Sequence, residues 1–206
     1  STRVRSSAAS DVYKRQQDDR VCAYTSLAAM LGTDAELEKT ACCLLVDKEE
    51  IGSVGATGMQ SKFFENVVAE LISLEGDYND LKLRRCLANS KMLSSDVNAG
   101  YDPLFADAFE KKNASFCGRG VVFSKFTGSR GKSGSNDANA EYIAKLRKIM
   151  DDNNVHYQMA ELGKVDVGGG GTIAYIAALY GMEVIDSGVA CLLYTSPSPR
   201  DMRRSR

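Results

Sequence analysis

A chain of 206 residues with 44% hydrophobic and 26% charged residues has the length and composition of one ordinary globular domain with a substantial core. Its formal net charge of −1 gives no electrostatic reason to expect nucleic acid or an anionic membrane surface as partner, and no apolar run approaches the roughly 20 residues of a membrane helix. The six cysteines show no Cys-x-x-Cys spacing, which argues against a disulfide framework or a zinc–thiolate site and predicts buried thiols in a reducing, cytoplasmic compartment.

Residues 1–16 are polar, basic and unpatterned, and residues 191–206, from Cys191 onward, are alike and hold two of the three prolines. Both ends resemble translated adapter sequence, so they are set aside as non-native tails and the domain is expected over residues 17–190, cut off at both ends.

Asp18-Asp19-Arg20 opens a run from Val21 to Gly32 that predicts a buried helix with the acids at its amino end. The apolar stretch Thr40–Val46 predicts a fully buried strand, followed by Asp47-Lys48-Glu49-Glu50-Ile51-Gly52-Ser53 and a turn at Gly52 and Gly55. Met59, Phe63, Phe64, Val67, Val68, Leu71 and Ile72 recur at helical spacing up to Gly76, and a shorter helix follows between Tyr78 and Ser90. Lys91–Val97 reads as a strand with Asp96 at its end, Pro103–Lys111 as a helical stretch, and Gly120–Phe126 as a further strand. Thr127–Ser135 reads as a basic glycine-serine loop, after which Ser135 or Asn136 caps a helix to about Asp152 with Ala140, Ile143, Leu146, Ile149 and Met150 facing inward. A strand at Tyr157–Leu162, a glycine-rich loop over 163–171, a helix Thr172–Tyr180 and a strand Met182–Ile185 complete the pattern. Strands alternate with helices, which predicts an α/β sandwich around a mostly parallel sheet.

Such a sheet gathers strand ends on one rim, and open α/β sheets place their chemistry there. Asp18, the Glu49-Glu50 pair and Asp96 all fall at element ends. Singly each reads as a cap, a turn residue or a solvated step. Together they form the carboxylate cluster that a divalent-cation site needs, with one acid of the adjacent pair free to work as a base. The glycine loop lacks the Gly-Lys-Ser/Thr ending and the dinucleotide fingerprint of phosphate-binding loops.

Asp18-Asp19-Arg20, Asp47-Lys48-Glu49-Glu50-Ile51-Gly52-Ser53, Ser94-Ser95-Asp96-Val97 and Gly169-Gly170-Gly171-Thr172-Ile173, in this order, resemble the aspartyl aminopeptidase and vacuolar aminopeptidase I family of co-catalytic zinc metallopeptidases. The resemblance covers nearly all of residues 17–190 and implies an incomplete, three-layer zinc-exopeptidase-like catalytic domain. It implies two zinc ions, with Asp18 bridging them, Glu50 on one and Asp96 on the other, and Glu49 as the general base in hydrolysis of an amino-terminal peptide bond. Asp166, Gly170, Gly171 and Thr172 would line the substrate pocket, and Lys125 would pair with an acidic substrate side chain. The resemblance further implies a peptide substrate and a homo-oligomeric parent.

The family also uses two histidine ligands with no counterpart here; the chain's single histidine, His156, matches no metal motif. The chain alone is therefore expected to be inactive although its parent is a metallo-aminopeptidase. A neutral or broad residue preference and a non-catalytic scaffold are the competing expectations.

Overall fold

The computed structural model describes residues 18–129, 133–164 and 171–192. Helix α1 spans Arg20–Leu31, α2 Phe63–Leu74 and α3 Asp80–Ala88. Strands β1 (Lys91–Ser95) and β2 (Asn98–Ala99) precede a 3-10 segment at Pro103–Ala108. Strands β3 (Val121–Ser124), β4 (Phe126–Ser129) and β5 (Ser133–Asp137) lead into α4 (Ala140–Asp152). Strand β6 (Tyr157–Met159), helix α5 (Ala174–Ala178) and strand β7 (Glu183–Cys191) follow.

The main sheet has the order β1-β7-β3-β6, with β2 also paired to β7. Its β1–β7, β2–β7 and β3–β6 pairings are parallel and β3–β7 is antiparallel, so the sheet is mostly parallel as the alternation predicts. Alternation along β7 sends Val184 to one face and Ile185 to the other. Val184 packs with Leu83, Leu87, Ala174, Ile176 and Ala177 from α3 and α5, while Ile185 packs with Phe123 and with Tyr142 and Leu146 of α4. Helices therefore cover both faces, giving three layers.

Several elements differ from expectation. Thr40–Val46 is not a buried strand: among the described residues nothing pairs with it, and Ala41, Cys42 and Leu45 are exposed. Only Leu44 and Val46, two residues apart and hence on one side, pack on the core around Met59. An apolar run marks burial on both faces only when neighbours cover both. Helix α1 likewise buries only Cys22, leaving Tyr24, Leu27, Met30 and Leu31 exposed. Of the cysteines, all free, Cys42, Cys86 and Cys117 are exposed, contrary to the expected buried thiols.

The helix expected from Met59 starts at Phe63, with Met59 buried in the preceding turn; Phe64, Val68 and Ile72 face the core, whereas Phe63, Val67 and Leu71 face outward. The expected glycine-serine loop is a β4–β5 hairpin in which Phe126 pairs with Asp137 and Thr127 with Asn136. Its buried positions are polar, Thr127 and Asn136, so apolar periodicity does not reveal it. Because Ser135 and Asn136 belong to β5, the cap of α4 falls to Asn139, whose side chain accepts the Glu141 N–H at 3.0 Å. Tyr142 and Leu146 are the buried residues of α4, and Ile149 is exposed.

The glycine that matters most for the rim is Gly188. A Cβ there would overlap the Asp96 carbonyl oxygen, and Cys22 Sγ would lie 3.3 Å away. Gly188→Ala is expected to lower the unfolding free energy by about 2–4 kcal/mol in urea denaturation, through forced displacement of β7 from the Asp96 backbone. Gly118→Ala, at φ 76 with open space around it, serves as the control and is expected to cost about 1 kcal/mol. Equal losses for the two variants would show that the close approach at Gly188 is easily relieved.

Candidate metal centre and catalytic rim

The Glu49-Glu50 pair sits on a single 3-10 turn, Glu49–Ile51, bounded by two left-handed residues, Lys48 (φ 68) and Gly52 (φ 90). The Gly52 N–H donates to Glu49 O at 2.8 Å and the Ser53 N–H to Lys48 O at 2.7 Å, which reverses the chain. A 3-10 turn places successive side chains about 120° apart. Accordingly Glu49 is half-buried and Glu50 exposed, so the two adjacent acids occupy different surroundings.

Asp19 caps α1, accepting the Cys22 N–H at 3.2 Å, so the capping role considered for Asp18 belongs to its neighbour. Asp96 follows the end of β1; its Oδ1 accepts its neighbour Val97's N–H at 2.8 Å, and its own N–H donates to Ser187 O of β7 at 3.3 Å.

These acids share one electrostatic neighbourhood. Glu49 is pushed up to about 7, first by burial and then by the charges of Glu50, Asp18, Asp19 and Asp186. Asp96 is pushed up to about 8 by burial and by Glu49, Asp19 and Asp18. Burial raises the Cys22 thiol, with Asp19 and Asp96 adding to the effect, and burial followed by Asp18 pushes Cys191 up to about 11. Four elements distant in sequence, the start of α1, the 3-10 turn, the end of β1 and β7, thus bring like charge to one place.

That chemistry suits a hard or borderline divalent cation, which would relieve the repulsion that raises Glu49 and Asp96. As the side chains stand, no three His, Cys, Asp or Glu among the described residues are close enough to enclose a metal ion. His156 lies at the start of β6, on the far edge of the sheet from β1. At about 4.8 Å per strand, three strands put it about 14 Å across the sheet from the end of β1.

Of the expected substrate residues, Asp166 and Gly170 lie outside the described residues. Gly171 and Thr172 precede α5, where Thr172 Oγ1 accepts the Ala174 N–H at 3.2 Å. Lys125 sits between β3 and β4 and forms an ion pair with Asp137 of β5; it also draws down the Glu161 carboxyl, which burial raises. Two more acids act on this neighbourhood: Asp19, expected only as an acid at the amino end of the first helix, and Asp186 within β7, which the sequence reading does not single out. Asp186 follows a strand expected to end at Ile185, so the strand-end reasoning that found Asp96 was able to find it too.

A carboxyl whose folded pKa exceeds its unfolded value binds more protons in the native state, so stability falls as pH rises between the two values. For Glu49 and Asp96 that window runs from about pH 4 to about pH 8. In chelator, the melting temperature of the chain is expected to fall between pH 5 and pH 8, and the Glu49→Gln/Asp96→Asn double variant to lose most of this slope. A melting temperature that is flat or rises over this range contradicts the crowding of acids.

The family model for aminopeptidase I zinc metalloproteases (M18) matches residues 9–204. A "Probable M18 family aminopeptidase 1" of Clostridium acetobutylicum is 63% identical over 181 residues, covering 88% of this chain and 39% of that protein. The crystal structure of an M18 aminopeptidase from Thermotoga maritima superposes with a TM-score of 0.79 at 43% identity, covering 84% of this chain and 38% of that one. The S. cerevisiae mApe1 dodecamer superposes with a TM-score of 0.65 at 25% identity, covering 85% and 38%. The chain thus spans about two fifths of the length of the curated bacterial relatives it matches. With sequence and fold in agreement over most of its length, the chain belongs to the M18 family of aminopeptidase I zinc metalloproteases.

Proposed function

We propose that the full-length protein removes amino-terminal residues from peptides as a di-zinc aminopeptidase, in which Asp18 would serve both ions, Glu50 would hold one and Asp96 the other, and Glu49 would stay unligated. The observation that carries this reading is the convergence of these four carboxylates on one rim, with Glu49 raised to about 7. Bound zinc supplies Lewis-acid activation of the attacking water and of the scissile carbonyl. Glu49 would take a proton from the attacking water and return it to the leaving amine, a general-base role open to it because it stays unligated beside Glu50. Gly171 and Thr172, at the entry to α5, would lie on the substrate side, where a glycine lets a peptide backbone approach. With His156 on the far sheet edge, the 206-residue chain alone lacks the two histidine ligands and is inactive. By analogy with the mApe1 dodecamer the full-length protein is a homo-oligomer, and a cytoplasmic location fits its six free thiols.

Selectivity for acidic residues depends on Lys125 being available to a substrate carboxylate. Its ion pair with Asp137 favours the alternative, a neutral or broad preference, because the lysine charge is already engaged.

In the full-length protein, Glu49→Gln is expected to lower kcat by about 10²–10⁴-fold with zinc content retained, the usual worth of a general base. Activity within threefold of wild type would remove Glu49 from the chemistry. Lys125→Ala is expected to leave the ratio of aspartyl to leucyl p-nitroanilide hydrolysis within about twofold, whereas loss of a charge-assisted substrate contact would lower it about tenfold or more.

A further inference from the structure

Asp186 lies in the middle of β7, between β1 and β3, and is 6% exposed. It shares a face with Val184, the face that α5 covers, and is in register with Ser94 of β1, which is fully buried. Thr127 Oγ1 of the hairpin donates to Asp186 Oδ2 at 3.1 Å. The hydroxyls of Thr172 and Ser94 also lie against this carboxylate and lower its pKa, while burial raises it more strongly. Of these contacts the Thr127 bond alone has full hydrogen-bond geometry, and Asp186 Oδ1 and Ser94 Oγ are left without such a bond.

A buried carboxylate among hydroxyls costs more than a neutral residue would, so core stability alone does not account for it. What a carboxylate provides is acceptance without donation. The Thr127 hydroxyl must therefore turn its proton toward Asp186. Thr172 Oγ1 accepts the Ala174 N–H at 3.2 Å, which leaves its own proton to face the Asp186 carboxylate it lies against. An asparagine would present an NH₂ to the same hydroxyls and reverse part of the pattern. On the hairpin side, Asn136 Nδ2 donates to Val184 O at 3.0 Å, a second tie to the same strand.

We infer that Asp186 is a positioning residue: through Thr127 and Thr172 its carboxylate fixes the β4–β5 hairpin and the entry to α5 against the rim that carries Asp96 and Glu49. Its consequence for catalysis rests on the proposed aminopeptidase reading, in which Thr172 faces substrate.

The test has two arms. In the 206-residue chain, amide hydrogen exchange is compared for wild type, Asp186→Asn, Thr127→Val and Thr127→Ser. Asp186→Asn is expected to speed exchange at Ala174 and across β5 by about tenfold or more, the effect of losing a hydrogen bond to a charged group, while the Asp96 amide stays within about twofold. Thr127→Val is expected to reproduce the β5 effect and Thr127→Ser, which keeps the hydroxyl, to restore protection. Equal acceleration at Asp96 and Ala174 would make Asp186 an ordinary fold residue, and no acceleration would make it irrelevant; either overturns the inference. In the full-length protein, Asp186→Asn is expected to raise KM for leucyl p-nitroanilide about tenfold with kcat within about threefold, a split that general destabilisation does not produce. A fall in kcat with KM unchanged also overturns it. Absence of peptidase activity in the full-length wild type would refute the aminopeptidase reading, and the exchange pattern would then still decide the role of Asp186.

Discussion

Strand β7 is the constraint on which the remaining geometry depends. It pairs with three other strands, β1 and β2 in parallel along one side and β3 antiparallel on the other. Its register with β1 sets Ser187 opposite Ser95 and is kept in β2, where Asn98 lies opposite Ala190, so Asp96 sits in the break between the two strands, beside Gly188. The absence of a side chain at Gly188 lets the Asp96 backbone sit close, near the start of α1, where Cys22 packs with Val97 and Cys191. Helix α1 makes little other use of the core. Its first turn therefore owes its place to these contacts more than to an apolar face, and with it Asp18 and Asp19.

The electrostatic consequence is a native state that holds like charges together. Glu49 raises the pKa of Asp96, and Asp18 and Asp19 act on both. A fold selected for stability alone would disperse such groups. A cation site tolerates them, because the ion reverses the sign of the local field. The Glu49–Ile51 turn adds the asymmetry that chemistry requires, keeping one carboxylate half-buried and its neighbour exposed on adjacent residues.

Much of this was legible in the sequence. The alternation of β-type and helical runs predicted the layered, mostly parallel sheet, and Asp96 at the end of a short strand and the Glu49-Glu50 step before Gly52 pointed to the rim. What the sequence hid falls into two kinds. Thr40–Val46 and α1 carry apolar residues whose burial is not completed by the described residues, so composition overstated their enclosure. The β4–β5 hairpin and Asp186 are the reverse, buried positions filled by Thr127, Asn136 and a carboxylate, which periodicity scores as solvent-facing. The true cap of α4, Asn139, was displaced from Ser135 and Asn136 only because a long-range strand pairing claims those residues.

The start of α1, the Glu49–Ile51 turn and the end of β1 bring their acids into one repelling cluster, and the proposed cation site rests on that crowding. Carboxyl ¹³C titration of Glu49 and Asp96 in the metal-free chain tests it most directly. Midpoints near 7 for Glu49 and near 8 for Asp96 are expected, both moving downward when Asp18 is changed to Asn. Midpoints near the ordinary carboxylate range of about 4, unmoved by that substitution, would contradict it.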